Sequence, residues 1–209
     1  MFSGRTFLLN QFSLDLPNRD YTGYLLLATA IDQENTAIHT AVTAIDCSSK
    51  WTKFPRYHET IWHGGTVYVE DDFPNLLFAK DGEIYDLDGK EAIVIGGAYS
   101  VDKYYRLQRG MNWFPDEQPS DEIKQQTENQ LSAINWNVDI VLTHTCPQKY
   151  VPIEAFLPGL DQSMVDHNTE EWLDKIEDRL NYKDWFCGHW HIDKRIDKMH
   201  FMMRSVEAL

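Results

Sequence analysis

Cysteine is scarce in this chain: three residues in 209, Cys47, Cys146 and Cys187, an odd number at wide spacing. That excludes a disulfide-stapled scaffold and fits a reduced, cytoplasmic protein. Long apolar runs are missing too, and no stretch approaches the roughly 18 residues that a spanning helix needs. The first twenty residues show a short apolar patch but no A-x-A-like cleavage site, so no secretory signal is expected. Cations are in deficit: 19 Lys and Arg against 33 Asp and Glu leave a net charge of −14. Nucleic acid and anionic lipid bind largely through neutralised phosphates, so this balance speaks against both as partners. A local cation site could still attract an anion. Glycine (11) and proline (8) are too few and too dispersed for a collagen-like or low-complexity chain.

What is present is globular, with 43% apolar and 25% charged residues. From about Tyr57 onward, short β-type runs alternate with turn signals. Residues 66–70 (TVYVE), 76–79 (LLFA), 83–87 (EIYDL) and 91–95 (EAIVI) are strand candidates, punctuated by Asp81-Gly82 and Asp88-Gly89. Residues 138–143 and 184–187 read as short buried strands, and 194–204 as an alternating closing segment. One helix follows Ser120, with Ser120 as cap and Ile123, Leu131 and Ile134 as its apolar stripe. A second begins at Asn168, with Glu171 placed for a capping box and Trp172, Leu173, Ile176 and Leu180 on its inner face. These elements predict a layered α/β (α+β) domain over 56–209. Residues 1–55 show no clean period and stay unassigned.

Three strand ends carry the chemistry. Gly188-His189-Trp190-His191 follows the strand DWFC, and imidazoles that turn toward one point there can bind Zn, Mn, Fe or Ni. Two ordinary loop histidines are the alternative. His144, in Thr143-His144-Thr145-Cys146-Pro147, stands at the end of a buried strand, where α/β folds gather ligands; a histidine capping the sheet is the other reading. Gly96-Gly97 follows EAIVI and permits close approach to an anion, with Arg106 a cation for a phosphate or the partner of Asp102 in a structural ion pair. Tyr57-His58-Glu59 and His63-Gly64-Gly65 read as surface or turn features, and Trp113-Phe114-Pro115 as core.

Taken in order, GGAYSVDKYYR, WFPDEQPSDE, VLTHTCP and CGHWH resemble the calcineurin-like metallophosphoesterase family over about residues 57–209. The last two look like that family's lone-histidine and Gly-His-x-His metal motifs. The resemblance implies a two-sheet β-sandwich flanked by helices, with a two-metal centre at its strand ends. His144 and His189 would ligate one divalent metal (Mn, Fe, Zn or Ni) and His191 the other. It implies phosphatase chemistry, in which a metal-activated water hydrolyses a phosphomonoester or phosphodiester. A phosphate-ester small molecule or nucleotide would be the partner, beside Gly97 and Arg106. The family's Asp-x-His, Gly-Asp-x-x-Asp and Gly-Asn-His motifs are absent. The domain is therefore expected to be incomplete in its N-terminal half, with exposed sheet edges that favour homo-oligomers. The alternative is a non-catalytic binding or structural module.

Overall fold

In the computed structural model the described residues are 53–208, apart from 102, 112, 114, 115, 157–162 and 164, together with the backbone of five strands between 7 and 43. Those five are β1 (Phe7–Leu9), β2 (Phe12–Leu16), β3 (Arg19–Gly23), β4 (Leu26–Ile31) and β5 (Ile38–Thr43). They lie where the sequence shows no period. Cys47, Asp102, Phe114 and Pro115 fall outside the described residues, and with Asp102 goes one of the two roles weighed for Arg106.

The next strands follow the turn chemistry. β6 (Tyr57–Trp62) and β7 (Gly65–Glu70) close on His63-Gly64, with φ of 48° and 88°. Positive φ at both positions is what a two-residue hairpin of matching twist requires. After β8 (Leu76–Ala79), the strands β9 (Ile84–Leu87) and β10 (Lys90–Ile95) close in the same way on Asp88-Gly89, at 54° and 82°. Gly82 adopts φ +75° and packs so closely on Thr127 that a Cβ there would stand 2.5 Å from its Oγ1.

Then the chain crosses over between parallel strands. α1 (Lys103–Gln108) and α2 (Asp121–Ala133) lead to β11 (Ile140–Thr143), and α3 (Asn168–Glu177) leads to β12 (Asp184–Cys187). β13 (Lys194–Ile196), β14 (Met199–Phe201) and β15 (Val206–Ala208) follow, the segment 194–204 folding as a hairpin that turns at Asp197. Ser120 caps α2 as expected, its Oγ accepting from the Ile123 N–H at 3.3 Å. The capping box on α3 does not form. His167 is the cap residue, with no side-chain bond, and Asp166 accepts the Asn168 N–H at 3.0 Å instead.

A seven-stranded sheet runs β15-β1-β4-β5-β8-β7-β6, a six-stranded one runs β13-β14-β12-β11-β10-β9, and β2-β3 form a separate hairpin. This is a mixed α/β architecture with two principal sheets and few helices. One core cluster joins Val67, Val69 and Leu77 of the first sheet to Val94, Leu142 and Phe186 of the second. On the other face of the second sheet, Ile93, Val141 and Trp185 pack with Leu131 of α2 and Leu173 and Ile176 of α3. Both faces of β10, β11 and β12 are thus covered, which is why these strands read as unbroken apolar runs. Each fully buried aliphatic or aromatic side chain contributes about 1.5–3 kcal/mol. Register places Ile95 beside Thr143 and Thr143 beside Cys187, so three carboxyl ends line up at one edge.

Candidate functional site

That edge is where the sequence motifs meet. The strand ends are tied by backbone bonds, from the His144 N–H to the Ile95 carbonyl at 3.1 Å and from the Gly188 N–H to the His144 carbonyl at 3.0 Å. Beneath them the Trp185 indole donates to Thr143 Oγ1 at 2.8 Å, fixing the floor. Beyond β12 the chain makes a three-residue turn, the Trp190 N–H reaching the Gly188 carbonyl at 2.7 Å. His189 is at its centre with φ 63°, and His191 follows at 53°. Left-handed backbone costs a non-glycine residue about 1–2 kcal/mol and persists where the surroundings dictate it, often at sites of function.

The turn swings the His189 ring back over the strand ends. Its Nδ1 and His144 Nε2 share a hydrogen bond at 3.1 Å, one ring donating and the other accepting, with ring centroids 4.9 Å apart. Trp190 packs edge-on against His189 at 5.0 Å and stacks on Phe156 at 5.7 Å, giving the pair an apolar wall. Burial disfavours the charged form and lowers the His144 imidazole to about 4, with His191 adding repulsion. His189 falls to about 3 through burial first, then through His144 and His191. Both rings are therefore neutral at pH 7, the form in which imidazole donates to a metal.

Of the residues predicted from sequence, His144 and His189 are brought together, whereas His191 is solvent-exposed and acts on them through charge. Among the described residues, no three His, Cys, Asp or Glu side chains group so as to hold a metal ion. Gly97 is buried just past β10 with φ 88°, and Arg106 is half-buried on α1. Cys146 and Cys187 are buried free thiols, and burial, with Cys146 beside it, pushes the Cys187 thiol up, away from the thiolate form a metal takes. His58 and Glu59 are exposed on β6 and His63 sits in the turn, as expected of surface features, but Tyr57 is buried in the core and Gly65 is buried at the start of β7. Trp113 is half-buried rather than core, its indole donating to Glu117 at 2.9 Å.

Two carboxylates were missed in the sequence. Asp81, 3% exposed, accepts the Gly96 N–H at 2.6 Å and so holds the end of β10 from a turn fifteen residues back. Glu170, also 3% exposed, lies in the first turn of α3, and burial raises its carboxyl. Acidic residues in a turn and in a helix's first turn are ordinary surface signals, so neither could be singled out.

Residues 3–65 match the family model of glycosyl hydrolase family 66. No curated protein and no solved structure matches the chain. The match spans under a third of the 209 residues. It overturns the metallophosphoesterase resemblance, and with it phosphoric-ester hydrolysis, phosphatase activity and manganese dependence. The family match falls on the very stretch where the resemblance had no motif. Three of the four pieces lie at the ends of β10, β11 and β12, and the fourth, residues 113–122, leads into α2. Among the described residues no helix is long and apolar enough to cross a membrane.

Proposed function

We propose that the His144–His189 pair is a binding site for one borderline divalent cation of the zinc type, seated where the strands of a two-sheet sandwich end. The observation that carries it is the 3.1 Å between His144 Nε2 and His189 Nδ1. Two nitrogens each about 2.05 Å from one tetrahedral cation stand about 3.3 Å apart, so the rings are already at ligand spacing. His191, exposed on the same turn, would become a third ligand only by rotating its side chain inward. A cation bound there would polarise a coordinated water or ligand oxygen. The protein's part is to keep two imidazoles neutral, to aim them with a left-handed turn and a backbone bond, and to shield them with Trp190. Buried free thiols at Cys146 and Cys187 fit a reducing, cytoplasmic setting.

Calorimetric titration of the chelator-treated full chain with Zn²⁺ tests this. One equivalent should bind at pH 7, and His144→Ala or His189→Ala should weaken it by at least about a hundredfold. An absence of binding, or binding indifferent to both substitutions, would refute it.

A second reading rests on the family match: a glycoside-directed hydrolase whose acid–base pair lies in residues 3–65. Glycoside hydrolysis is commonly run by two carboxylates. That stretch offers Asp15, Asp20, Asp32, Glu34, Asp46 and Glu59. Glu59 is exposed and bonded by Lys80 at 3.1 Å, which holds its carboxyl below the usual range. Release of reducing ends from α- and β-linked glucans, abolished by two of the corresponding Asn or Gln substitutions and indifferent to chelator, is the expected result. No release from any glucan would sink it.

A further inference from the structure

β6 closes one end of the seven-stranded sheet, and among the described residues only β7 pairs with it. Its ladder runs unbroken from Tyr57↔Glu70 to Trp62↔Gly65. Proteins usually blunt such an edge with proline, lysine, a bulge or a covering segment. The strand YHETIW has no proline, glycine or lysine, and Tyr57, Thr60, Ile61 and Trp62 all favour extended backbone. Its middle is open on both faces: His58, Glu59 and Thr60 are exposed and Ile61 is 71% exposed. The hairpin also fixes which backbone groups look outward. The closing pair of a two-residue turn exchanges hydrogen bonds, and alternation then turns Thr60 and His58 toward β7 as well. Glu59 and Ile61 therefore aim their N–H and C=O groups away from the sheet, whereas the Tyr57 N–H is taken by the Phe54 carbonyl at 3.0 Å.

We infer that β6 is a homodimerisation edge. A second copy adds its own β6 antiparallel to the first, centred on Thr60, so that two seven-stranded sheets continue across a two-fold axis. The strand is complementary to itself in that register. Outward groups must meet outward groups, so the two-fold falls on a residue rather than between residues. Centred on Glu59, it would oppose two carboxylates at close range. Centred on Thr60, it opposes Glu59 to Ile61, His58 to Trp62, and Thr60 to itself, a favourable cross-strand set. Each Glu59–Ile61 pair exchanges two backbone hydrogen bonds. The two Glu59 carboxylates then lie on a diagonal, about 7–8 Å apart along the backbone. Each brings the Lys80 ammonium that holds it at 3.1 Å, so acids and bases alternate around the axis.

Sedimentation velocity on the full chain, from low micromolar to submillimolar concentration, should show a monomer–dimer equilibrium. Ile61→Lys leaves the β6–β7 ladder intact and should weaken the dimer at least about tenfold, with an unchanged melting curve as the check on folding. Thr60→Cys reports the register, because facing residues of a non-hydrogen-bonded pair are within disulfide reach. Mild oxidation should give a covalent dimer with Thr60→Cys and none above the parent's background with His58→Cys. A chain that stays monomeric throughout, a dimer indifferent to Ile61→Lys, or equal cross-linking at both positions would overturn the inference.

Discussion

Acidification from pH 7 to pH 5 carries the histidines of the unfolded chain through their ordinary value near 6.5, while His144 and His189 stay neutral in the fold, held at about 4 and about 3. The unfolded state then takes up protons that the folded state refuses. Stability therefore falls as pH drops below the unfolded value, and the fall ends only below the folded values. From these positions each imidazole withdraws about 2 kcal/mol between pH 7 and pH 5, roughly 4 kcal/mol together. That is a large part of the 5–15 kcal/mol typical of a domain. Urea unfolding of chelator-treated protein at pH 7, 6 and 5, beside the double variant His144→Gln/His189→Gln, isolates the two rings because every other titrating group is common to both. The parent should lose about 4 kcal/mol more than the variant over that interval. Parallel curves would show that the imidazoles are solvated in the folded chain, and the neutral pair at the strand ends would have to be abandoned.

Two further outcomes follow from local geometry. Gly82→Ala sets a methyl 2.5 Å from Thr127 Oγ1 and 3.0 Å from its Cα at φ +75°, so a loss of about 2–4 kcal/mol is expected. Gly89→Ala, at φ +82° in open space, should cost only about 1–2 kcal/mol, and equal losses in urea melts would contradict this account. Asp193 accepts backbone N–H groups from Met203, Arg204 and Ser205 at 2.8, 3.1 and 3.0 Å. Against the raising effect of burial, these bonds hold its carboxyl down to about 2. The stabilisation is present above the unfolded value near 3.8 and disappears as pH falls through about 2. Asp193→Asn should therefore be less stable than the parent at pH 6, and thermal melts should show the gap closing toward pH 2.

From β7 onward most elements were legible in the sequence, because their signals are local. Asp88-Gly89 specifies a left-handed two-residue turn whatever surrounds it. The runs at β10, β11 and β12 can only be buried, and Trp172, Leu173 and Ile176 mark the inner face of α3 by spacing alone. Illegible were β1 to β5, β6 and α1. The middle of β6, His58 to Ile61, is exposed on both faces, so no alternation marks it, and α1 buries no side chain at all. The histidines were picked out by type and by their place at strand ends. Their approach to 3.1 Å was not, since it depends on a left-handed turn at His189 that no local rule assigns to a non-glycine residue.

Sequence alone thus determined the strand ends, the turns and the identity of the imidazoles, through backbone sterics and hydrophobic period. Tertiary structure decided the rest: which strand ends lie side by side, that His144 and His189 meet while His191 faces water, and that Asp81 and Glu170 are buried. Those outcomes depend on parallel pairing between segments some forty residues apart. Burial, which sets the charge of both histidines, exists only once that pairing is made.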